Sequence, residues 1–474
     1  MQRPHLFSPL TIGPIEVKNR LGFSPNCPVT SGHLVSGLFD EDSAYYYGER
    51  AKGGQGLIII GETRVTPNTG YFPYVAPQLY DDRNIKPLAQ VAQEVHRHGG
   101  RLLIQLYAGL PNRGLEPQEN SLNPDLDVDL TVVGPSYLPG GKASGVASPP
   151  GMVIREAAVE ELPDIAEAYA RAAQRAAEAG LDGVEIVSSA GYLPGQFLSL
   201  LFNRRTDAYG GSMENRARFL VEVLQRVRER VGTGVVVGYR INCDSLTPGD
   251  LTVDDMAEIV SHVNSRAQVD YVNSVLGFHS LTLMDTASPG WQMSYTQRLK
   301  QASQVPVFGV GGYIHPQPAE EAIANGHCDL VLMARQLFVD PEFANKVKEG
   351  RDDDIRPCVH ANYCRGRVIR SLRNECFQNP AQGRERVWGI GTLRPAARPK
   401  GVLVIGGGPA GLEVARTAAE RGHAVVLYER RERVGGHLNL KVRLPFHAEY
   451  GNMIAWYELQ LQKLRVQVQT EREV

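Results

Sequence analysis

Eight short apolar runs, each followed by residues at helical spacing, fill the first 345 positions, and this alternation constrains the fold more than any other feature. The runs lie at 21–24, 56–60, 101–106, 183–187, 235–241, 269–275, 305–310 and 328–333. Most are continuous β-branched or aliphatic stretches, the pattern of strands buried on both faces of a parallel sheet. Between them, residues 157–179 carry apolar positions at helical spacing, with Gly180 as a stop. Eight strand–helix units of this kind predict a (β/α)8 TIM barrel. The excess length falls in 107–155, rich in Pro, Gly, Asn and Asp, which reads as a lid or binding loop.

The remaining residues change character. The stretch 346–396 holds three of the six cysteines, many arginines and little periodicity. A linker-like run, Ala396-Ala397-Arg398-Pro399-Lys400, precedes a new strand at Val402. That strand leads into Gly406-Gly407-Gly408-Pro409-Ala410-Gly411, a helix, a second strand and Glu429. A glycine-rich turn between strand and helix lets a pyrophosphate approach the helix N-terminus, and an acidic residue about 20 positions on suits a ribose hydroxyl. Gly406, Gly408, Gly411 and Glu429 are therefore candidate dinucleotide contacts, and Arg430 and Arg431 leave NADPH open as a ligand. Only one further strand-like run, 464–468, follows, so this domain reads as incomplete. The expected organisation is α/β: a barrel over 1–345, a cysteine segment and linker over 346–396, and a partial Rossmann-type domain over 397–474.

Composition removes other classes. Lys plus Arg number 50 and Asp plus Glu 52, so no basic field exists to bind nucleic acid or a membrane surface. No apolar run approaches the ~20 residues of a membrane helix. The start carries no signal core, and six cysteines are too few for a disulfide scaffold, which points to a reducing, cytoplasmic setting.

Chemistry in such barrels gathers at the carboxyl ends of the strands. Those ends carry Pro25, Asn26 and Cys27; Gly61 and Glu62; Gln105; Ser188 to Tyr192; Arg240; His279; Gly311 and Gly312; Ala334 and Arg335. Singly, each has a plain reading: a cap for Gln105, an ion pair for Arg240, packing for Tyr192, a structural role for His279, a small buried hydrophobe for Cys27. Together they are more specific. Gly311-Gly312 and Arg335, after strands seven and eight, match the phosphate site of such barrels. Gln105 and Arg240 can bond the polar edge of a planar ring, a combination that suits flavin mononucleotide (FMN).

Longer strings carry a resemblance. Leu6-Phe7-Ser8-Pro9-Leu10-Thr11-Ile12-Gly13, Lys18-Asn19-Arg20, Glu49-Arg50-Ala51-Lys52-Gly53-Gly54 and Asn203-Arg204-Arg205-Thr206-Asp207-Ala208-Tyr209-Gly210-Gly211-Ser212-Met213-Glu214-Asn215-Arg216 resemble the old yellow enzyme and NADH:flavin oxidoreductase family. The layout is similar to its long members, 2,4-dienoyl-CoA reductase and trimethylamine dehydrogenase. The last of these strings reads as loop-shaping rather than substrate-contacting. The resemblance implies FMN held by Pro25, Asn26, Cys27, Gly61, Gln105, Arg240, Gly311, Gly312, Ala334 and Arg335. It implies a [4Fe–4S] cluster at Cys358, Cys364 and Cys376, with Ala361 where a fourth cysteine is usual and either an open iron or His360 in its place. It also implies FAD or ADP at the C-terminal module. The polar pair that many ene-reductases carry after strand four is absent, since those positions are Val187 and Ala190. Tyr192 and His279 instead match the acid and its partner in dienoyl-CoA reductases. The resulting expectation is NAD(P)H-dependent reduction of an activated C=C bond. The alternative is a methylated-amine dehydrogenase or demethylase that passes electrons to a partner. A homo-oligomer acting on a small molecule is expected in both cases.

Overall fold

The computed structural model describes residues 3–67, 77–108, 131–137, 153–189, 191–277, 290–370 and 372–474. All eight apolar runs form strands: β1 (Leu21–Asn26), β2 (Leu57–Arg64), β3 (Arg101–Tyr107), β4 (Gly183–Ser188), β5 (Val236–Asn242), β6 (Tyr271–Val275), β7 (Val307–Val310) and β8 (Leu330–Met333). Each pairs in parallel with its sequence neighbours and β8 returns to β1, so the sheet closes into a barrel.

Side-chain alternation then sorts the residues. Outward positions such as Ile58, Ile60, Leu102 and Ile104 meet the surrounding helices in one large core. Inward positions Leu57, Ile59, Leu103, Val236, Tyr271, Phe308, Leu330 and Leu332 form a separate interior cluster. A hairpin, Leu10–Ile12 with Ile15–Val17, packs Ile12, Ile15 and Val17 against that cluster. Because these inward residues come mainly from the first halves of the strands, the hairpin plugs the N-terminal end. The carboxyl end is left for chemistry.

The helix expected over 157–179 divides into a 3-10 turn, Val159–Glu161, and an α-helix, Leu162–Glu178. Pro163 in the first turn explains the break, since proline is tolerated where no intrahelical N–H is needed. The stretch read as a loop, 107–155, contains a small parallel pair, Thr131–Gly134 with Val153–Glu156. Its β-branched Thr-Val-Val run was hidden among Pro- and Gly-rich neighbours.

After the barrel come the short helices Tyr363–Ile369 and Glu385–Trp388. Arg50 ties this segment to the barrel: its guanidinium is buried, sits over the Tyr46 ring at 4.1 Å and pairs with Glu385 at 2.7 Å. The C-terminal module is a parallel sheet in the order β9 (Gly401–Ile405), β10 (Ala424–Tyr428), β11 (Gln467–Gln469), with helices Pro409–Glu420 and Tyr450–Lys463 against it. No helix among the described residues is long and apolar enough to cross a membrane.

Candidate active site

The carboxyl half of the barrel holds a buried polar layer above the apolar one. Register aligns Gln105 of β3 with Glu185 of β4, and Glu185 with Gly238 of β5, so these neighbours face the interior together. Glu185 is fully buried and accepts three hydrogen bonds. Gln105 Nε2 donates to its Oε1 at 2.5 Å, and Asn273 Nδ2 and Tyr271 OH donate to Oε2 at 2.8 and 3.0 Å. Tyr271 reaches across because Gly238 has no side chain: a Cβ there would lie 2.2 Å from the Tyr271 ring. Burial pushes the Glu185 carboxyl up, while Arg240 and the three donors pull it down. Sequence reading missed Glu185. Its signal was an acidic residue inside an otherwise aliphatic strand, Gly183-Val184-Glu185-Ile186-Val187.

One layer higher stand Tyr107, Val187 and Arg240, each two residues on from the layer below. Arg240 is half-buried, its backbone carbonyl takes the Ser188 hydroxyl at 2.7 Å, and no hydrogen bond holds its guanidinium among the described residues. Asn242 and Asn273 each keep a buried amide oxygen without a partner. A charged guanidinium and spare acceptors at the mouth fit a polar ring edge that carries both donors and negative charge. Gln105 spends its amide nitrogen on Glu185, so its carbonyl oxygen is turned away from that carboxylate and can accept from a ligand N–H.

The end of β1 supplies one wall. Tyr46 and Tyr47, on the helix Glu41–Lys52, hold Asn26: Tyr46 OH donates to its Oδ1 at 2.5 Å and Tyr47 OH to its backbone oxygen at 2.9 Å. Pairing of β1 with β2 shifts register here, and Gly61 passes so close that a Cβ would sit 2.3 Å from the Asn26 carbonyl carbon. Pro25 and Asn26 are half-buried, whereas Cys27 is buried 3.9 Å from His33 Nδ1. Burial lowers His33 to about 4, so it is a neutral imidazole at neutral pH.

Tyr192 is 1% exposed and packs edge-on against Tyr107, ring centroids 5.3 Å apart, with Val187 beside both. Val368, from the helix of the cysteine segment, covers this group. Ala190 and His279 lie outside the described residues. Gly312 adopts a left-handed φ of +67° and Gly311 is buried against Gln292. Ala334 precedes the helix Arg335–Val339, and Arg335 Nη1 donates to Asn362 Oδ1 at 2.9 Å. Arg335 therefore stands between β8 and the cysteine segment.

Cys358, Cys364 and Cys376 line one pocket together with Ala361, Arg335 and Gln378. Burial pushes the Cys358 and Cys364 thiols up to about 12 and 11, and Arg335 opposes that shift. Among the described residues no three His, Cys, Asp or Glu side chains converge on a single ion. His360 is turned elsewhere, with Nδ1 2.8 Å from Glu449 Oε2.

In the C-terminal module, Gly411 allows the helix to seat on the loop: a Cβ there would lie 2.0 Å from the Gly406 oxygen. Gly406 has a φ of +95°. Glu429 is buried and takes the Gly407 N–H at 2.7 Å and the Arg431 N–H at 2.9 Å, so both its oxygens brace the glycine loop. The Asn203–Arg216 string is likewise architectural. Arg205 grips Asp207 and the Pro135 and Ala157 carbonyls, and Asn203 Nδ2 bonds the Phe197 and Tyr209 carbonyls.

Residues 5–354 match the model of the NADH:flavin oxidoreductase / NADH oxidase family, and 404–458 match an NAD(P)-binding Rossmann-like domain. The chain is 34% identical to an NADH oxidase of Thermoanaerobacter brockii over 98% of its own length and 69% of the relative's. It is also 34% identical to an N,N-dimethylglycine/sarcosine dehydrogenase of Chromohalobacter salexigens, over 97% of this chain and 65% of that one. A solved 2-naphthoyl-CoA reductase superposes with a TM-score of 0.89 at 29% identity, over 99% of this chain and 71% of the other. The chain thus spans about two thirds of the length of its relatives. Barrel, family match and relatives agree: the chain belongs to the NADH:flavin oxidoreductase / NADH oxidase family and is a flavin-dependent oxidoreductase.

Proposed function

We propose that the chain reduces an activated C=C bond with electrons from NAD(P)H, using FMN at the barrel mouth. The observation that carries this reading is a buried phenol, Tyr192, packed with Tyr107 and Val187 in the layer of Arg240, one level above Gln105 and Glu185. Bound FMN would supply hydride chemistry. The chain's residues do the rest. Gln105, locked by Glu185, orients the pyrimidine edge, and Arg240 places positive charge where reduced flavin gathers negative charge. Gly312 and Arg335 would hold the phosphate, and Asn26, Cys27 and Gly61, where β1 and β2 approach closely, would form a wall beside the ring. Tyr107, Val187 and Val368 exclude water from the reacting face. Tyr192 gives its phenolic proton to the substrate carbon next to the activating group, with His279 as the partner that restores it. The glycine loop from Gly406 to Gly411 receives the pyrophosphate of NAD(P)H or of an FAD or ADP, and the cysteine pocket receives an iron–sulfur cluster that would link the two sites. The 2-naphthoyl-CoA reductase and NADH oxidase relatives support the reductive direction.

One observation favours a second reading, oxidation of an N-methylated amine. Tyr107 and Tyr192 form an aromatic corner beside apolar Val187 and Val368, and aromatic faces attract alkylammonium groups. The dimethylglycine/sarcosine dehydrogenase relative agrees with it. Anaerobic titration of the purified flavoprotein separates the two. NAD(P)H, with reoxidation by an enoyl or enoate acceptor, should bleach a reductase. Bleaching by sarcosine or dimethylglycine and indifference to NAD(P)H would replace the first reading with the second.

A further inference from the structure

The cysteine loop brings Cys358, position 361 and Cys364 to the same pocket wall, with Cys376 joining from beyond the helix. Three positions at equal spacing along the loop therefore present a thiol, a methyl and a thiol. A cubane cluster normally takes one thiolate for each of its four irons. Here the fourth corner meets Ala361.

Among the described residues that line the pocket there is no imidazole and no carboxylate, and His360 is not one of them. The Tyr363 hydroxyl accepts from Arg367 Nη1 at 3.3 Å, and Asn362 Oδ1 accepts from Arg335 Nη1 at 2.9 Å. One unused oxygen is present. Gln378 is 4% exposed, its Nε2 donates to the Pro357 oxygen at 2.8 Å, and its Oε1 has no partner. A buried amide oxygen without a partner is costly unless a ligand meets it. It is also a hard, neutral donor, much weaker toward cluster iron than thiolate.

We infer that the pocket binds a site-differentiated iron–sulfur cluster: three irons are anchored by Cys358, Cys364 and Cys376, and the fourth, at Ala361, is exchangeable. This rests on the cluster assignment made above, though not on the reaction direction. The chemistry balances simply. A one-electron oxidant such as ferricyanide takes one electron from [4Fe–4S]2+. The resulting [4Fe–4S]3+ releases Fe2+ from the corner without a thiolate and leaves [3Fe–4S]+. No protein bond breaks, because none holds that iron. A cysteine at 361 would supply one.

The test uses the whole chain, reconstituted anaerobically with ferrous iron and sulfide, with FMN content measured alongside. Wild-type protein treated with ferricyanide should lose about a quarter of its cluster iron. It should then show the near-isotropic electron paramagnetic resonance signal of an oxidised three-iron cluster, and ferrous iron plus reductant should reverse both. Ala361→Cys should keep its iron and stay silent under the same oxidant. Wild-type protein that holds all its iron as firmly as Ala361→Cys would overturn the inference by revealing another fourth ligand. Clusters in Ala361→Cys but not in wild type would overturn it by showing that three thiolates do not suffice. Iron and sulfide in neither would remove the cluster assignment itself.

Discussion

Replacing Glu185 is the sharpest test of the polar layer proposed to hold the flavin edge. Three donors end on this one carboxylate: Gln105 Nε2, Asn273 Nδ2 and Tyr271 OH. Glu185→Leu keeps roughly the volume and removes every acceptor. Each buried donor left unmatched costs about 1–3 kcal/mol, so the three together cost about 3–9 kcal/mol. That is comparable with the whole stability of an ordinary domain, about 5–15 kcal/mol. Glu185→Gln behaves differently. Its oxygen can stay with Asn273 and Tyr271, while its new NH2 faces the Gln105 nitrogen. Turning the Gln105 amide over relieves that conflict, and the flavin edge then meets an NH2 where it had met a carbonyl. The expected stability loss is only about 1–3 kcal/mol, the scale of one perturbed buried hydrogen bond. FMN affinity should nevertheless fall by about tenfold or more, since ~1.4 kcal/mol is tenfold. Urea unfolding of the apoprotein and quenching of FMN fluorescence measure the two effects separately. Glu185→Leu within 1 kcal/mol of wild type, or Glu185→Gln with unchanged FMN affinity, would refute the reasoning.

Other expectations follow from single contacts. Tyr192→Phe should slow substrate reduction by about 10²–10⁴-fold, the usual worth of a general acid, while flavin reduction by NAD(P)H stays at its wild-type rate; stopped-flow half-reactions separate these. Arg50→Met breaks a buried ion pair with Glu385 and should cost about 3–5 kcal/mol, with amide exchange accelerating first around 382–390. Gly411→Ala sets a methyl against the Gly406 carbonyl and should weaken calorimetric binding of ADP or NADH without altering FMN content. Glu49 is raised to about 7 by burial. The folded state therefore favours its protonated form, and the contribution, about 3 kcal/mol, is complete below an unfolded pKa near 4.5 and lost as pH rises through about 7. Glu49→Gln should flatten that part of the stability–pH curve measured by urea unfolding.

Much of the architecture was legible from periodicity because burial on both faces forces long aliphatic strands whatever the tertiary details. The eight runs became eight barrel strands, and their carboxyl ends carry Gln105, Arg240 and Gly312. The glycine loop was legible for a similar local reason, since positive φ at Gly406 and close approach at Gly411 leave no other residue type. Partnership across strands was not. Glu185 is an ordinary acidic residue until β3 and β6 place three donors around it, and Gly238 has no meaning until the Tyr271 ring lies across it. Glu429 suited a ribose hydroxyl by spacing, yet the folded loop occupies both its oxygens with main-chain N–H groups. Arg335 followed β8 as a phosphate ligand should, and the fold also bonds it to Asn362 beside the cysteines. The chain alone determined which residues could line a site, because spacing and side-chain chemistry are local. Only the closed barrel decided which of them share hydrogen bonds, because those bonds join atoms that are 80 or more residues apart in sequence.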